Sequence, residues 1–207
     1  MFKRVISKTT IHYSGDSMYS KKTVGSFMIV VVAVLFFTSI GHSADQFPND
    51  INEAGKTNSP CNERVDNAID GSDHTKFLNF EGKNGASGFY LSFSCKVNLD
   101  TITFVTANDH PGRDPYLLDV FGCHHGMSDK VKSGCRRLGN DSVTVEKADK
   151  PYAEVSAHFT NDKSFSYYKV MITAIRNRSE NSFQFAEVWG SGSGKSCPGS
   201  YLGHGKN

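Results

Sequence analysis

The chain has 207 residues, enough for one domain of ordinary size plus flanking segments. With 38% hydrophobic, 21% charged and 12% aromatic residues and 19 glycines, it has the composition of a globular protein leaning toward strands and turns. The formal net charge of +2 comes from the first 43 residues, which hold five Lys/Arg and one acidic residue; the remaining 18 basic and 20 acidic residues exclude the basic stripe of a nucleic-acid or acidic-membrane binder.

Residues 27–40, FMIVVVAVLFFTSI, form an apolar or small-residue run preceded by Lys21 and Lys22 and followed by Gly41-His-Ser-Ala44. Fourteen residues are short for a membrane span and suit the core of a signal peptide, with cleavage after Ser43 or Ala44. The charged leader before the run is long, so either Met18 is the true start or an uncleaved signal anchor remains. Residues 1–44 are therefore expected to be a signal peptide or signal anchor with its leader. The protein is then secreted or extracellular, and membrane-held only if that segment stays uncleaved. Residues 45–60 are polar and read as a linker.

The stretch 67–80, NAIDGSDHTKFLNF, packs Asp70, Gly71, Asp73 and Thr75 into one short loop ahead of an apolar strand start at Phe77 and Leu78. Tight loops of this kind gather the oxygen ligands a hard cation needs, but Asp-Gly is also an ordinary turn pair. In FYLSFS (89–94), Phe89, Leu91 and Phe93 alternate with small polar residues, the period of a half-buried strand. Further strand-like runs cover 97–107, 115–123, 142–147, 152–159, 165–175 and 183–190, with turn residues between them. Short strands at this spacing, without helical period after residue 61, predict an all-β antiparallel sandwich over 61–190. Residues 191–207 read as a Gly/Ser-rich flexible tail.

All five cysteines follow the signal segment, as an oxidising compartment allows. Cys123 and Cys135 are placed to close a hairpin, and Cys61 and Cys197 flank the strand set. That leaves Cys95 over, although spacing alone does not fix connectivity. The Cys123-His124-His125…Cys135 group has zinc-ligand residue types, yet adjacent ligands are rare in tetrahedral sites, and a disulfide is the expected state. Asn140 and Asn177 each begin an N-glycosylation acceptor triplet, both in predicted loops.

Three segments together resemble the galactose-binding-like β-sandwich superfamily, the discoidin or coagulation-factor C-type domains and related carbohydrate-binding modules. The first is Ala68-Ile-Asp-Gly-Ser-Asp-His-Thr-Lys-Phe77, similar to an early A-x-D-G-x-x-x-T-x-W loop, with Phe77 in place of the tryptophan. The second is Thr106-Ala-Asn-Asp-His-Pro-Gly-Arg-Asp-Pro115 followed by Leu118-Asp-Val-Phe-Gly122. The third is Tyr167-Tyr-Lys-Val-Met-Ile-Thr-Ala174 leading to Asn181-Ser-Phe-Gln-Phe-Ala-Glu187-Val. They occur in family order. The resemblance implies a galactose-binding-like jelly roll and a structural calcium held by Asp70, Asp73, Thr75 and Glu187. Glu187 stands in an apolar strand, where an unpaired carboxylate is costly and a cation would offset the cost.

Saccharide sites combine polar groups for hydroxyls with an aromatic face for the ring. Loop 108–116 offers Asn108, Asp109, His110, Arg113 and Tyr116, and loop 176–183 offers Arg176, Arg178, Asn181 and Phe183. Asn108, His110, Arg113 and Asn181 are the expected ligand-binding residues, with Arg113 also read as pinning its loop through Asp114. The leading functional reading is a secreted, non-catalytic carbohydrate-binding domain whose partner is a glycan, including one on a cell-surface glycoprotein. The alternative is a discoidin-type adhesion module for a protein or lipid headgroup, with Tyr116 and Phe183 as its apolar contacts. A glycosidase using two carboxylates is the weakest reading, since the acidic residues with clear context are accounted for as metal ligands.

Overall fold

A computed structural model of the chain describes residues 44–82, 87–124 and 134–193. All of the expected signal segment but Ala44, with His125 and Cys197, lies outside them, as does nearly all of the expected tail. No helix among the described residues is long and apolar enough to cross a membrane.

Among the described residues eleven strands follow one another: β1 (Ala44–Gln46), β2 (Asp50–Gly55), β3 (Phe77–Asn79), β4 (Ser87–Val97), β5 (Thr101–Val105), β6 (Pro115–Cys123), β7 (Cys135–Thr144), β8 (Glu154–His158), β9 (Phe165–Ile175), β10 (Phe183–Phe185) and β11 (Glu187–Gly192). They form a five-stranded sheet in the order β2-β4-β9-β6-β7, a four-stranded sheet β1-β11-β5-β8 and a two-stranded ribbon β10-β3. Each of these pairings is antiparallel, and the whole is a β-sandwich.

Side-chain alternation explains which face of each strand turns inward. In β9, Tyr168, Val170 and Ile172 are buried, while Tyr167, Lys169 and Met171 between them are only half-covered. The neighbouring β6 sends Leu118 and Val120 into the same core. Phe89 of β4, Phe104 of β5 and Phe185 of β10 then join all three sheets, with ring centroids 5.0 Å apart for Phe104–Phe185 and 5.3 Å for Phe89–Phe185. Phe77 of β3 meets Phe183 and Phe185 edge-on at 5.3 and 5.5 Å. Each such pair adds about 0.5–1.5 kcal/mol beyond the burial of the rings. The fully buried phenol of Tyr168 is satisfied: it donates to the Val97 carbonyl at 2.6 Å and accepts from the Leu99 N–H at 3.0 Å.

Several expectations need correction. Residues 45–60 are not a linker: β1 pairs with β11, Ala44 opposite Gly192, and β2 forms an edge of the five-stranded sheet against β4. Their polar composition hid them because both are edge strands, with one side open to solvent. The expected final strand is two strands, broken at Ala186, whose N–H crosses to the Val105 carbonyl at 2.8 Å. Strand β7 begins at Cys135, well before the expected 142. Asn140 consequently lies in a strand, not a loop. It is exposed on a bulge where residues 139–142 face the single residue Asp119, and Gly139 supplies the positive φ of 76°.

The Cys123–Cys135 disulfide is present, with the two residues directly opposed in the β6–β7 ladder. The expected Cys61 pairing is not: Cys61 is a free, exposed thiol, and Cys95, expected to be left over, is disulfide-bonded. Beyond β11 the chain passes the end of β4, where Asn98, three residues from Cys95, donates to the Ser193 hydroxyl at 3.0 Å. Cys61 instead leads into Glu63, which meets Lys76 at the opposite end of β11.

Candidate functional site

At the end of the sandwich where β5 stops and β11 starts, four loops meet. Loop 106–114 is tied to loop 176–182 through main-chain bonds: the Asn177 N–H donates to the Gly112 carbonyl at 2.8 Å and the Arg176 N–H to the Asp114 carbonyl at 3.0 Å. Gly112 makes this approach feasible, since a Cβ there would lie 2.8 Å from the Asn177 Cβ. Loop 147–153 is held to the first loop by Thr106, whose N–H donates to the Ala153 carbonyl at 3.0 Å and whose hydroxyl accepts from the Ala153 N–H at 3.1 Å. The acidic loop 70–75 completes the end, with His74 edge-on to Tyr152 at 5.8 Å.

Within the acidic loop, the hydroxyl of Thr75 lies 2.8 and 3.0 Å from the two Asp70 carboxylate oxygens and 2.9 Å from the Ser72 carbonyl. One hydroxyl proton can serve only one of these three acceptors. Glu187, 2% exposed, reaches the same loop from β11, and its Oε1 accepts the N–H groups of Gly71 and Ser72, each at 3.0 Å. Burial and the adjoining Asp70 carboxyl push the Glu187 pKa up to about 8, against the pull of the two N–H donors. Asp70, Thr75 and Glu187 are thus brought together. Asp73 is exposed and takes no part in these bonds. Among the described residues no cluster of three or more His, Cys, Asp or Glu side chains forms a metal centre; the oxygens here come from two carboxylates, a hydroxyl and a carbonyl.

Asn108 and His110 are exposed at the tip of loop 106–114, where His110 takes a left-handed conformation with φ 41°. Asn181 is exposed on the adjoining loop. Arg113 does not pin its loop through Asp114: its Nε donates to Glu180 of loop 176–182 at 3.1 Å, so it braces one loop against the other. Asp114 is 5% exposed, its Oδ1 lacks a hydrogen-bond donor, and burial pushes its pKa up to about 7 despite the nearby Arg176. Phe183 is fully buried in the aromatic core and Tyr116 lies beneath the Arg176 guanidinium at 4.9 Å, so neither is the free apolar contact expected of a lipid binder.

A network that sequence reading missed fixes the loop tip. Lys76, in the acidic loop's last step before β3, reaches Asp109 at 2.6 Å, Gln184 at 3.3 Å and Glu63 at 3.6 Å. Gln184 donates to both the side chain and the main-chain carbonyl of Asp109. Burial would raise the Asp109 pKa, but the hydrogen bonds from Lys76 and Gln184 and the Lys76 charge outweigh it and hold the carboxyl below its ordinary range. The alternation in FQF (183–185) was the available signal, because it puts one polar side chain between two core phenylalanines.

No protein-family model matches the sequence, and no curated protein matches it. Solved structures do. The family 32 carbohydrate-binding module of C. perfringens NanJ, in complex with galactose, superposes with a TM-score of 0.54 at 9% identity, covering 73% of this chain and 100% of that one. The fold is the galactose-binding-like β-sandwich. A Bacteroides fragilis F5/8 type C domain has a TM-score of 0.58 at 12% identity, with 75% and 99% coverage. The paired CBM32 domains of Clostridium perfringens ZmpB, in complex with GalNAc, give 0.54 at 16%, covering 70% of this chain and 33% of theirs. The chain therefore spans a third of the ZmpB fragment but the full length of the single modules.

Proposed function

We propose that the protein is a secreted, non-catalytic carbohydrate-binding module, with a structural calcium in its acidic loop. The observation that carries the reading is the loop end itself, where a rigid sandwich presents exposed polar side chains, Asn108, His110 and Asn181, beside loops braced by Arg113–Glu180 and Lys76–Asp109. Such a surface exchanges hydrogen bonds with hydroxyl groups. The solved structures of like fold include modules in complex with galactose and with GalNAc, which supports a saccharide as the ligand class.

Calcium is supported by the donor set. Asp70, Thr75, Glu187 and the Ser72 carbonyl are hard oxygens converging from two ends of the chain, with more acceptors than protons to satisfy them. A divalent ion there would tie β11 to loop 70–75 and let Glu187 ionise while buried. Screening the 44–207 protein on a glycan array, with and without calcium, tests the reading. Binding without release of cleaved sugar is the expected result; no binding, or hydrolysis of the bound glycan, overturns it.

A further inference from the structure

Loop 147–153 lies over loop 106–114, and the two enclose a cleft of about 270 Å³ lined by Asp114 from one side and by Lys147, Asp149 and Lys150 from the other. Asp114 is the unusual member, a carboxyl 5% exposed whose Oδ1 meets no donor. A buried acceptor left in this way is unfavourable, and far more so when it carries a charge. Arg176, the cation that acts on it, is engaged elsewhere: its NH2 donates to the carbonyls of Val145 and Glu146, and its guanidinium covers Tyr116. The other charged groups of this end are committed or exposed. Asp109 is bonded to Lys76 and Gln184, Arg113 to Glu180, and Glu146 accepts the Ser156 N–H. His74, His110, Lys147, Asp149 and Lys150 face solvent. With the loop shut, the fold tolerates a neutral Asp114 and penalises an ionised one.

The fastening of loop 147–153 is slight. Thr106 holds it, donating its hydroxyl to the Lys150 carbonyl at 3.4 Å and exchanging bonds with the Ala153 main chain at 3.0 and 3.1 Å. Tyr152, beside these bonds, is held at φ 59°, a left-handed backbone that is strained for a residue other than glycine. Counting Asp149 against Lys147 and Lys150 leaves the loop one positive charge in excess, so lifting it admits water to Asp114 and leaves a cation free to turn toward the carboxylate. We propose that loop 147–153 is a pH-operated latch, shut on loop 106–114 while the Asp114 carboxyl holds its proton and released when that proton leaves. Burial pushes the Asp114 pKa up to about 7, with Arg176 pulling it down and Asp109 pushing it up; once the loop lifts, the carboxyl returns toward its ordinary 3.8. Closure is therefore firmest below about 3.8, weakens as pH rises and levels off above about 7. The latch needs no ligand and stands apart from the carbohydrate reading.

The test follows amide hydrogen exchange of the full chain between about pH 5 and pH 8, corrected for the intrinsic pH dependence of exchange, in wild type, Asp114→Asn and the double variant His74→Gln/His110→Gln. The readout is the opening equilibrium at the Thr106 and Ala153 amides, with the Leu99 amide, bonded to Tyr168 at the far end of the sandwich, as reference. In wild type, opening should rise by about tenfold per pH unit up to neutrality and then level off. The histidine variant should behave the same way, and Asp114→Asn should be flat. A flat wild type overturns the latch without need of any variant. So does a rise that survives in Asp114→Asn, one that disappears with the two histidines, or one at Thr106 and Ala153 that merely tracks Leu99, as whole-domain unfolding would produce.

Discussion

Arg113 and Asp114 are neighbours in sequence but serve different parts of the molecule. Arg113 pairs with Glu180 across two loops, and both side chains are largely covered. Truncating either should lower stability by about 1 kcal/mol, and the double variant Arg113→Ala/Glu180→Ala should lose less than the sum, a coupling measurable in a denaturation cycle. Strict additivity would remove the brace. Asp114 makes a different prediction. Its pKa lies near 7, well above the ordinary 3.8, so its neutral form favours the folded state. That contribution is complete below about 3.8 and is lost as pH rises through about 7. Asp114→Asn should flatten this part of the stability profile and be more stable than wild type at pH 8, by roughly 1–3 kcal/mol, the range for relieving a poorly satisfied buried polar group. An unchanged slope between pH 4 and pH 7, read from melting temperatures, would show that Asp114 ionises freely in the fold.

At the scale of elements, the two edge strands and the acidic loop carry the strongest consequences. β1 closes one edge of the four-stranded sheet and β2 one edge of the five-stranded sheet, burying Ile51 and Ala54. A protein beginning at residue 61 should therefore be severely destabilised relative to one beginning at residue 44, with a lower and broader urea transition. Equal midpoints would restore the linker reading. For the acidic loop, chelation should lower the melting temperature, and Glu187→Gln should abolish most of that response; a melting curve indifferent to chelator in the wild type would count against the cation. Much of this level was legible in the sequence. β6 and β9 stand at the expected boundaries because their two-residue alternation is strong, with Leu118 and Val120, or Val170 and Ile172, against half-covered neighbours. β1 and β2 were not, since DINEAG carries only two core residues and depends on partners distant in the chain. The Asp70–Thr75–Glu187 grouping followed from resemblance. Asp73 does not join it, because loop direction, not residue type, decides which carboxylate faces β11.

At the scale of the whole molecule, the two-sheet core fixes one end as a platform. Phe89, Phe104 and Phe185 lock the sheets together, and the loops beyond them are braced to one another by main-chain bonds and by ion pairs. Rigid loops lower the ordering entropy of binding, which would matter for a ligand as weakly held as the proposed sugar. Asn108, His110 and Asn181 were readable as loop residues, but the cleft was not. It forms only where loop 147–151 crosses loop 106–114, a juxtaposition that sequence spacing does not encode. The most direct measurement is an amide chemical-shift map of the isotopically labelled protein, titrated with a glycan selected on the array. The account predicts shifts concentrated in 106–114, 147–151 and 176–182, with the sheet faces unmoved. Shifts confined to the outer face of β2-β4-β9-β6-β7, or to the far end near Asn98 and Ser193, would contradict it.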